Sequence, residues 1–172
     1  MIALELPYLV KNRILTLLSF NSDWDKKTSI FGIRPTLPNQ NRYIKYFGNL
    51  DKSRLAHVRK GYQSVKTALS GSEIKINACP DPKTCEDGAA AYVFPGGEIE
   101  IFICVVKYFS YSDEMRGSFI LHEMTHEVHG TDDKHNGKTI YGDLAVQGLA
   151  KTDPSTAVTT ADNYAWFAMG LK

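Results

Sequence analysis

The chain carries almost no net charge. Its 20 lysines and arginines face 19 aspartates and glutamates, leaving a formal charge of +1, and the two signs are interspersed along the sequence. Without a basic field there is no electrostatic basis for binding nucleic acid or an anionic membrane, and neither is expected as a partner. Long hydrophobic runs are missing too: none approaches the ~20 residues that a bilayer-spanning helix requires. No internal repeat, low-complexity tract or linker interrupts the 172 residues. A single domain over 1–172 is therefore expected, with 1–40 as a less regular N-terminal extension.

The first twenty residues superficially resemble a signal peptide. However, Glu5 and Pro7 interrupt the start, Lys11 and Arg13 fall in the middle, and no small-residue cleavage site follows. The segment reads as part of the folded protein. If the protein is exported, a signal or pro-segment is expected outside this chain.

Cysteine is scarce: Cys79, Cys85 and Cys104 are the three in the chain. An odd number cannot pair completely within one chain, and Cys-x5-Cys does not suit a zinc ribbon. The residues alone leave two readings open, one disulfide with a thiol left over or three reduced cysteines in a core.

What is present is an ordinary globular composition, 43% apolar and 23% charged. Residues 21–40 carry Pro35 and Pro38 and read as loop or short strand. From Asn41 to Ser70, apolar residues such as Tyr43, Phe47, Val58, Tyr62, Val65 and Leu69 recur every three or four positions. That spacing predicts a helix pair, broken near Gly48 to Asp51, with a face that needs a partner. Ile74 and Ile76 then alternate with polar residues, and Pro80 to Gly88 is rich in turn formers. Ala91–Phe94, Pro95-Gly96-Gly97 and Glu98–Val106 read as two strands around a tight turn. In the second strand Ile99, Ile101 and Ile103 point one way, and the side bearing Glu98, Glu100 and Phe102 is expected to face solvent. The helical period returns after Ser112, a suitable N-cap followed by Asp113 and Glu114, and runs to about His129, where Gly130 stops it. A last helix is expected from about Thr160. The class is α+β.

The helix after Ser112 contains Leu121-His122-Glu123-Met124-Thr125-His126. Residues four apart on a helix lie one turn above each other, so both imidazoles can reach one ion. HExxH is short enough to arise by chance, but here Phe119, Ile120, Leu121, Met124 and Val128 surround it. A buried His pair with a Glu needs electrostatic satisfaction, which a metal supplies. Zn2+ fits this donor set, with Glu123 reaching a water on the metal without ligating it and taking its proton during attack on a carbonyl. The same carboxyl then protonates the leaving amine. Zinc needs a third protein ligand. His129, Asp132, Asp133 and His135 all lie just beyond, and spacing does not choose among them.

These residues resemble the aspzincin family of zinc metallopeptidases, which includes deuterolysin and the peptidyl-Lys metalloendopeptidases. That family joins HExxH to a downstream Gly-Thr-x-Asp-x-x-Tyr-Gly. Here Gly130-Thr131-Asp132-Asp133 matches, and Tyr141-Gly142 follows, although Lys134 to Ile140 intervene where the family has two residues. The resemblance covers roughly 40–170. It implies a zincin-like fold with a helical N-terminal part, a small antiparallel sheet with a hairpin, the HExxH helix and a C-terminal helix. It also implies zinc on His122, His126 and Asp133, Glu123 as catalytic base, and Tyr141 as oxyanion stabiliser, brought back by a bulging insertion or else merely packing. A Cys85–Cys104 bridge is implied, with Cys79 outside it. Lysine-specific members clamp the substrate lysine with an acidic pair. Asp162 matches the first acid and Ala165 stands at the second, so Asp162 is either a substrate-binding residue or a brace for the last helix, and strict lysine specificity is not expected. The strand before the helix, Glu98–Val106, is the expected edge for an extended peptide.

The function implied is that of a secreted or exported, monomeric zinc endopeptidase acting on proteins or peptides. Two alternatives share the motif: an exported toxin or effector protease with one dedicated protein target, and a non-catalytic zinc-binding protein, against which the intact Glu123 argues.

Overall fold

The computed structural model describes residues 3–4, 37–71, 74–80, 82–94, 96 and 98–170. The expectations for 1–20 and 21–40 fall outside these residues apart from 3–4 and 37–40. Strand β1 (Ala3–Leu4) is followed by helices α1 (Leu37–Phe47) and α2 (Lys52–Gly71), then β2 (Lys75–Ala78), the short helix α3 (Pro82–Glu86), β3 (Ala91–Val93) and β4 (Glu100–Ile103). Next come α4 (Val105–Phe109), α5 (Asp113–His129), the β5–β6 pair (Lys134–His135, Lys138–Thr139), α6 (Asp143–Thr152), α7 (Pro154–Ala157) and α8 (Ala161–Met169). No helix among the described residues is long and apolar enough to cross a membrane.

The helix pair breaks where the sequence indicates, between Phe47 and Lys52. Its first member begins earlier than the prolines suggested. Pro38 sits in the first turn of α1, where a missing N–H breaks no intrahelical bond. Tyr43 and Phe47 of α1, Tyr62 of α2, and Tyr164 and Phe167 of α8 form a buried aromatic cluster with ring centroids 5.2–5.9 Å apart. Its polar tips are satisfied: Tyr62 Oη donates to the Tyr164 carbonyl at 2.7 Å, and Tyr164 Oη donates to the Val158 carbonyl at 2.8 Å. Each fully buried side chain of this size contributes roughly 1.5–3 kcal/mol. The face left open by the helix pair is thus covered by the end of the chain.

The strand order is β1-β2-β4-β3. The β3–β4 hairpin is antiparallel, as expected, but β2 runs parallel to β4, making the sheet mixed. The reason is connectivity: the chain passes through α3 and β3 between them, long enough to re-enter in the same direction. Three local expectations change. The second strand stops at Ile103, and Val105 and Val106 start α4, because Cys104 is drawn into a disulfide with Cys85 of α3. The face opposite Ile101 and Ile103 is only partly solvated: Glu98 is exposed as expected, but Phe102 is buried, stacking on Tyr92 (5.2 Å) and meeting Phe94 (5.6 Å), while Glu100 accepts from Asn77 Nδ2 at 2.5 Å. Finally, β4 lies between β2 and β3, so its edges are both taken; β3 is the edge strand on that side among the described residues.

Helix α5 is the centre of the molecule, packing on α8, α2, β3 and β4. Ser112 caps it through a bond from Met115 N, and Gly130 ends it at φ 68°. Only glycine takes that left-handed turn without a Cβ penalty, and it lets Thr131 N reach the Thr125 carbonyl at 3.3 Å and close the helix end.

Candidate metal centre

The turn at Gly130 builds the site. Beyond it, Thr131 offers its carbonyl to His126, Nδ1 to O 2.7 Å, and its hydroxyl to Thr125 at 2.9 Å. Asp132 is pinned through its backbone: its N–H donates to the Thr159 carbonyl (2.8 Å) and its carbonyl accepts from Ala161 N (3.1 Å). The next residue, Asp133, therefore turns under the histidines. Its Oδ1 lies 3.0 Å from His122 Nε2 and 3.1 Å from His126 Nε2, and the two Nε2 atoms are 3.1 Å apart.

The hydrogen bonds of the far ring nitrogens determine what those three atoms carry. His126 Nδ1 faces a carbonyl, so it must be the N–H. His122 Nδ1 faces Asp162 Oδ1 at 2.9 Å, a carboxylate, so it too is the N–H. In the neutral rings both Nε2 atoms then present lone pairs. Those lone pairs point at each other and at Asp133 Oδ1, a buried oxygen with no hydrogen-bond partner. These three atoms, 3.0–3.1 Å apart, need positive charge among them, supplied by a proton or by a metal ion. A tetrahedral zinc with donor distances of about 2.0–2.1 Å separates its ligand atoms by roughly 3.3 Å, so the set fits that ion. The electrostatics agree. Burial opposes charge on His122, yet Asp133 and Asp162 overcome it and raise its pKa to about 10. Burial likewise opposes charge on Asp133, and the two imidazoles nonetheless hold it far below the usual carboxylate range.

Glu123 is buried next to the first histidine. Burial raises its pKa, the two histidines pull it down, Asp133 and Asp162 push it up, and the net direction is upward. Tyr141 returns to the site despite the residues inserted before it. Lys134 to Thr139 form the β5–β6 hairpin, turned by Asn136 (φ 50°) and Gly137 (φ 74°), the left-handed pair that suits a tight hairpin. Ile140 N closes its base on the Asp133 carbonyl at 2.8 Å, and Tyr141 Oη donates to Asp133 Oδ2 at 2.8 Å. Burial and Asp133 raise the phenol's pKa. Asp162, in the first turn of α8, holds His122 with one oxygen and accepts from Gly142 N at 2.6 Å with the other.

The remaining alternatives for a third ligand lie elsewhere. The His129 ring packs tilted against His57, with centroids 4.4 Å apart, and its Nε2 lies 3.1 Å from Tyr164 Oη. His135 Nε2 is 3.7 Å from Asp153 Oδ2. Asp132 Oδ1 accepts from Asp133 N at 2.6 Å. Cys85 and Cys104 are joined, and Cys79 Sγ lies 3.2 Å from Tyr92 Oη. Sequence reasoning overlooked Thr131, whose carbonyl orients His126, and Gly142, whose N–H binds Asp162. It also gave no role to Met115 and took Phe119 only as an apolar flank of the histidines; the two precede His122 by seven and three residues and line the adjoining cavity. The helical period of the histidine face was the available signal for those two.

Comparison with known proteins finds similarity to metallo-endopeptidases. The family model described as aspzincin, lysine-specific metallo-endopeptidase, matches residues 35–169. An extracellular protease of Aeromonas hydrophila is 29% identical over 135 residues, 76% of this chain but only 36% of that protein. A peptidyl-Lys metalloendopeptidase of Pleurotus ostreatus is 28% identical over 131 residues, 74% of this chain and 72% of that one. The solved zinc peptidase of Grifola frondosa shares the fold, with a TM-score of 0.69 at 22% identity, over 94% of this chain and 88% of that chain.

Proposed function

Since the chain belongs to the aspzincin family of metallo-endopeptidases, we propose that it hydrolyses internal peptide bonds of proteins or peptides, using one zinc ion held by His122, His126 and Asp133. The observation that carries this reading is the meeting of the two imidazole Nε2 atoms with Asp133 Oδ1 within 3.1 Å. Zinc in such a set lowers the pKa of water and polarises a carbonyl.

The chain's own residues do the rest. Glu123, its pKa raised by burial, takes the proton of the attacking water and passes it to the leaving amine. Tyr141 offers its phenol hydrogen to the carbonyl oxygen as negative charge develops there. Asp162 holds His122 in the tautomer that leaves Nε2 free to ligate. An extended substrate adds to the outer edge of β3 and so passes the mouth of the site. All of these groups come from one chain, which supports action as a monomer. The disulfide supports export to an oxidising compartment, as does similarity to a protease named extracellular.

The test is elemental analysis together with hydrolysis of denatured casein. About one zinc per chain is expected, and Glu123→Gln should keep that zinc while losing about 10²–10⁴-fold in rate. A protein that neither holds nor rebinds zinc sinks the reading.

A further inference from the structure

A cavity of about 580 Å³ opens beside Glu123 and Tyr141, well within the size range of pockets that enclose a bulky group. His122, Glu123, Tyr141 and Asp162 form its inner end. Away from them it follows α5 toward the helix start, where Met115 and Phe119 share the face of the histidines, and Ala165 and Trp166 of α8 line it as well. Among the described residues the inner end holds one carboxylate besides Glu123, that of Asp162, and both its oxygens are engaged, one by His122 Nδ1 and the other by Gly142 N. Ala165, one turn further along α8, adds a methyl group and no acceptor. At the rim lie an exposed Asp87 and Lys107, whose ammonium donates to the Gly88 carbonyl.

An ammonium ion entering this cavity would lose its hydration among Met115, Phe119, Ala165 and Trp166, none of which offers it a charged acceptor in exchange. An aromatic or long aliphatic side chain loses nothing by the same transfer and gains contact with Phe119 and Trp166. We propose that this cavity is the main specificity pocket and that it takes a large apolar side chain adjoining the scissile bond, so that the enzyme cuts beside Phe, Tyr, Trp, Leu or Met and not beside Lys. This rests on the endopeptidase reading above and adds the class of residue recognised.

Two measurements test it. The first is binding without turnover. The chain has two tryptophans, Trp24 and Trp166, whose indole NMR signals can be assigned with Trp24→Phe. N-acetyl-phenylalanine amide should shift the Trp166 signal at concentrations at least about tenfold below those needed with N-acetyl-lysine amide, and equal or reversed order overturns the proposal. The second is cleavage-site profiling of a peptide library. Large apolar residues should be enriched about 10–100-fold over lysine at one position flanking the cut, the range that one unsatisfied charged contact commands. Ala165→Trp, which fills the cavity, should reduce that enrichment at least about tenfold. A profile dominated by lysine, or enrichment untouched by Ala165→Trp, overturns the assignment. Selective binding of the phenylalanine derivative with no cleavage of any peptide would uphold the pocket and sink the peptidase reading. Cleavage without side-chain preference would do the reverse.

Discussion

Tyr141 donates to one oxygen of Asp133 (2.8 Å) while the other oxygen of that carboxylate faces both His122 and His126. The phenol thus sits one carboxylate away from the proposed metal position, at the closing end of a hairpin absent from the family's motif. Tyr141→Phe should lower turnover by about 10²-fold, the low end for loss of an oxyanion donor, with zinc content unchanged. Replacing Asn136 and Gly137 together by alanine should lower turnover in the same way, because it strains the turn that returns Tyr141. Full activity in both variants, measured as kcat beside bound zinc, would remove Tyr141 from the mechanism.

Asp133 and Asp132 are neighbours with opposite fates. Asp133→Ala should abolish stable zinc binding, whereas Asp132→Ala and His129→Ala should leave about one zinc per chain. Asp162→Asn should weaken zinc binding by about 10–100-fold, since the tautomer of His122 is no longer enforced. Competition with a chelator of known affinity reads all four variants, and a larger loss from Asp132→Ala than from Asp133→Ala would refute the ligand set.

Gly61 of α2 lies under His129. A Cβ there would meet the imidazole at 2.6 Å and the Tyr164 ring at 2.8 Å. Alanine ordinarily gains about 1 kcal/mol over glycine inside a helix, but here the overlap should reverse the sign and destabilise by about 1–3 kcal/mol. Denaturant titration checks this, and a stabilised Gly61→Ala protein would show that His129 moves aside freely.

His129 itself should make stability depend on pH. Burial, with the charges of His57 and Lys60, lowers its pKa to about 4, whereas an unfolded histidine titrates near ~6.5. Below that value the unfolded chain binds a proton that the folded one refuses, so stability falls as pH drops from about 6.5 to about 4 and changes no further from this source. Partial exposure of the ring holds the effect to about 1 kcal/mol or less. The difference in Tm between wild type and His129→Gln, followed across that range, isolates it. A difference independent of pH would contradict the shift.

Much of the outline is local in origin and was legible in order along the chain. Ser112, the Asp113-Glu114 pair and Gly130 bound α5 because capping acts within one turn. The break at Gly48 to Asp51 and the start of α8 at Thr160 are likewise short-range signals. The length of β4 was not legible. Glu98–Val106 alternates well enough for a long strand, but the bond from Cys104 to Cys85 and the start of α4 end it at Ile103. Its place inside the sheet depends on β2, which lies more than twenty residues earlier.

The sequence by itself determined the HExxH pair, because a four-residue spacing on a helix puts two imidazoles on one face wherever that helix lies. It also determined the residue types available nearby, and with them the class of ion and chemistry. Tertiary structure decided which of His129, Asp132, Asp133 and His135 meets the pair. That choice turns on backbone bonds from Asp132 to Thr159 and Ala161, residues distant in sequence that pin the loop so that the next side chain turns inward. It decided the role open to Asp162 too, by setting Gly142 N and His122 Nδ1 on either side of its carboxylate. Spacing along a helix is a local property that sequence carries directly; the convergence of α5, the Asp133 loop, the Tyr141 hairpin and α8 on one point exists only once the core has packed.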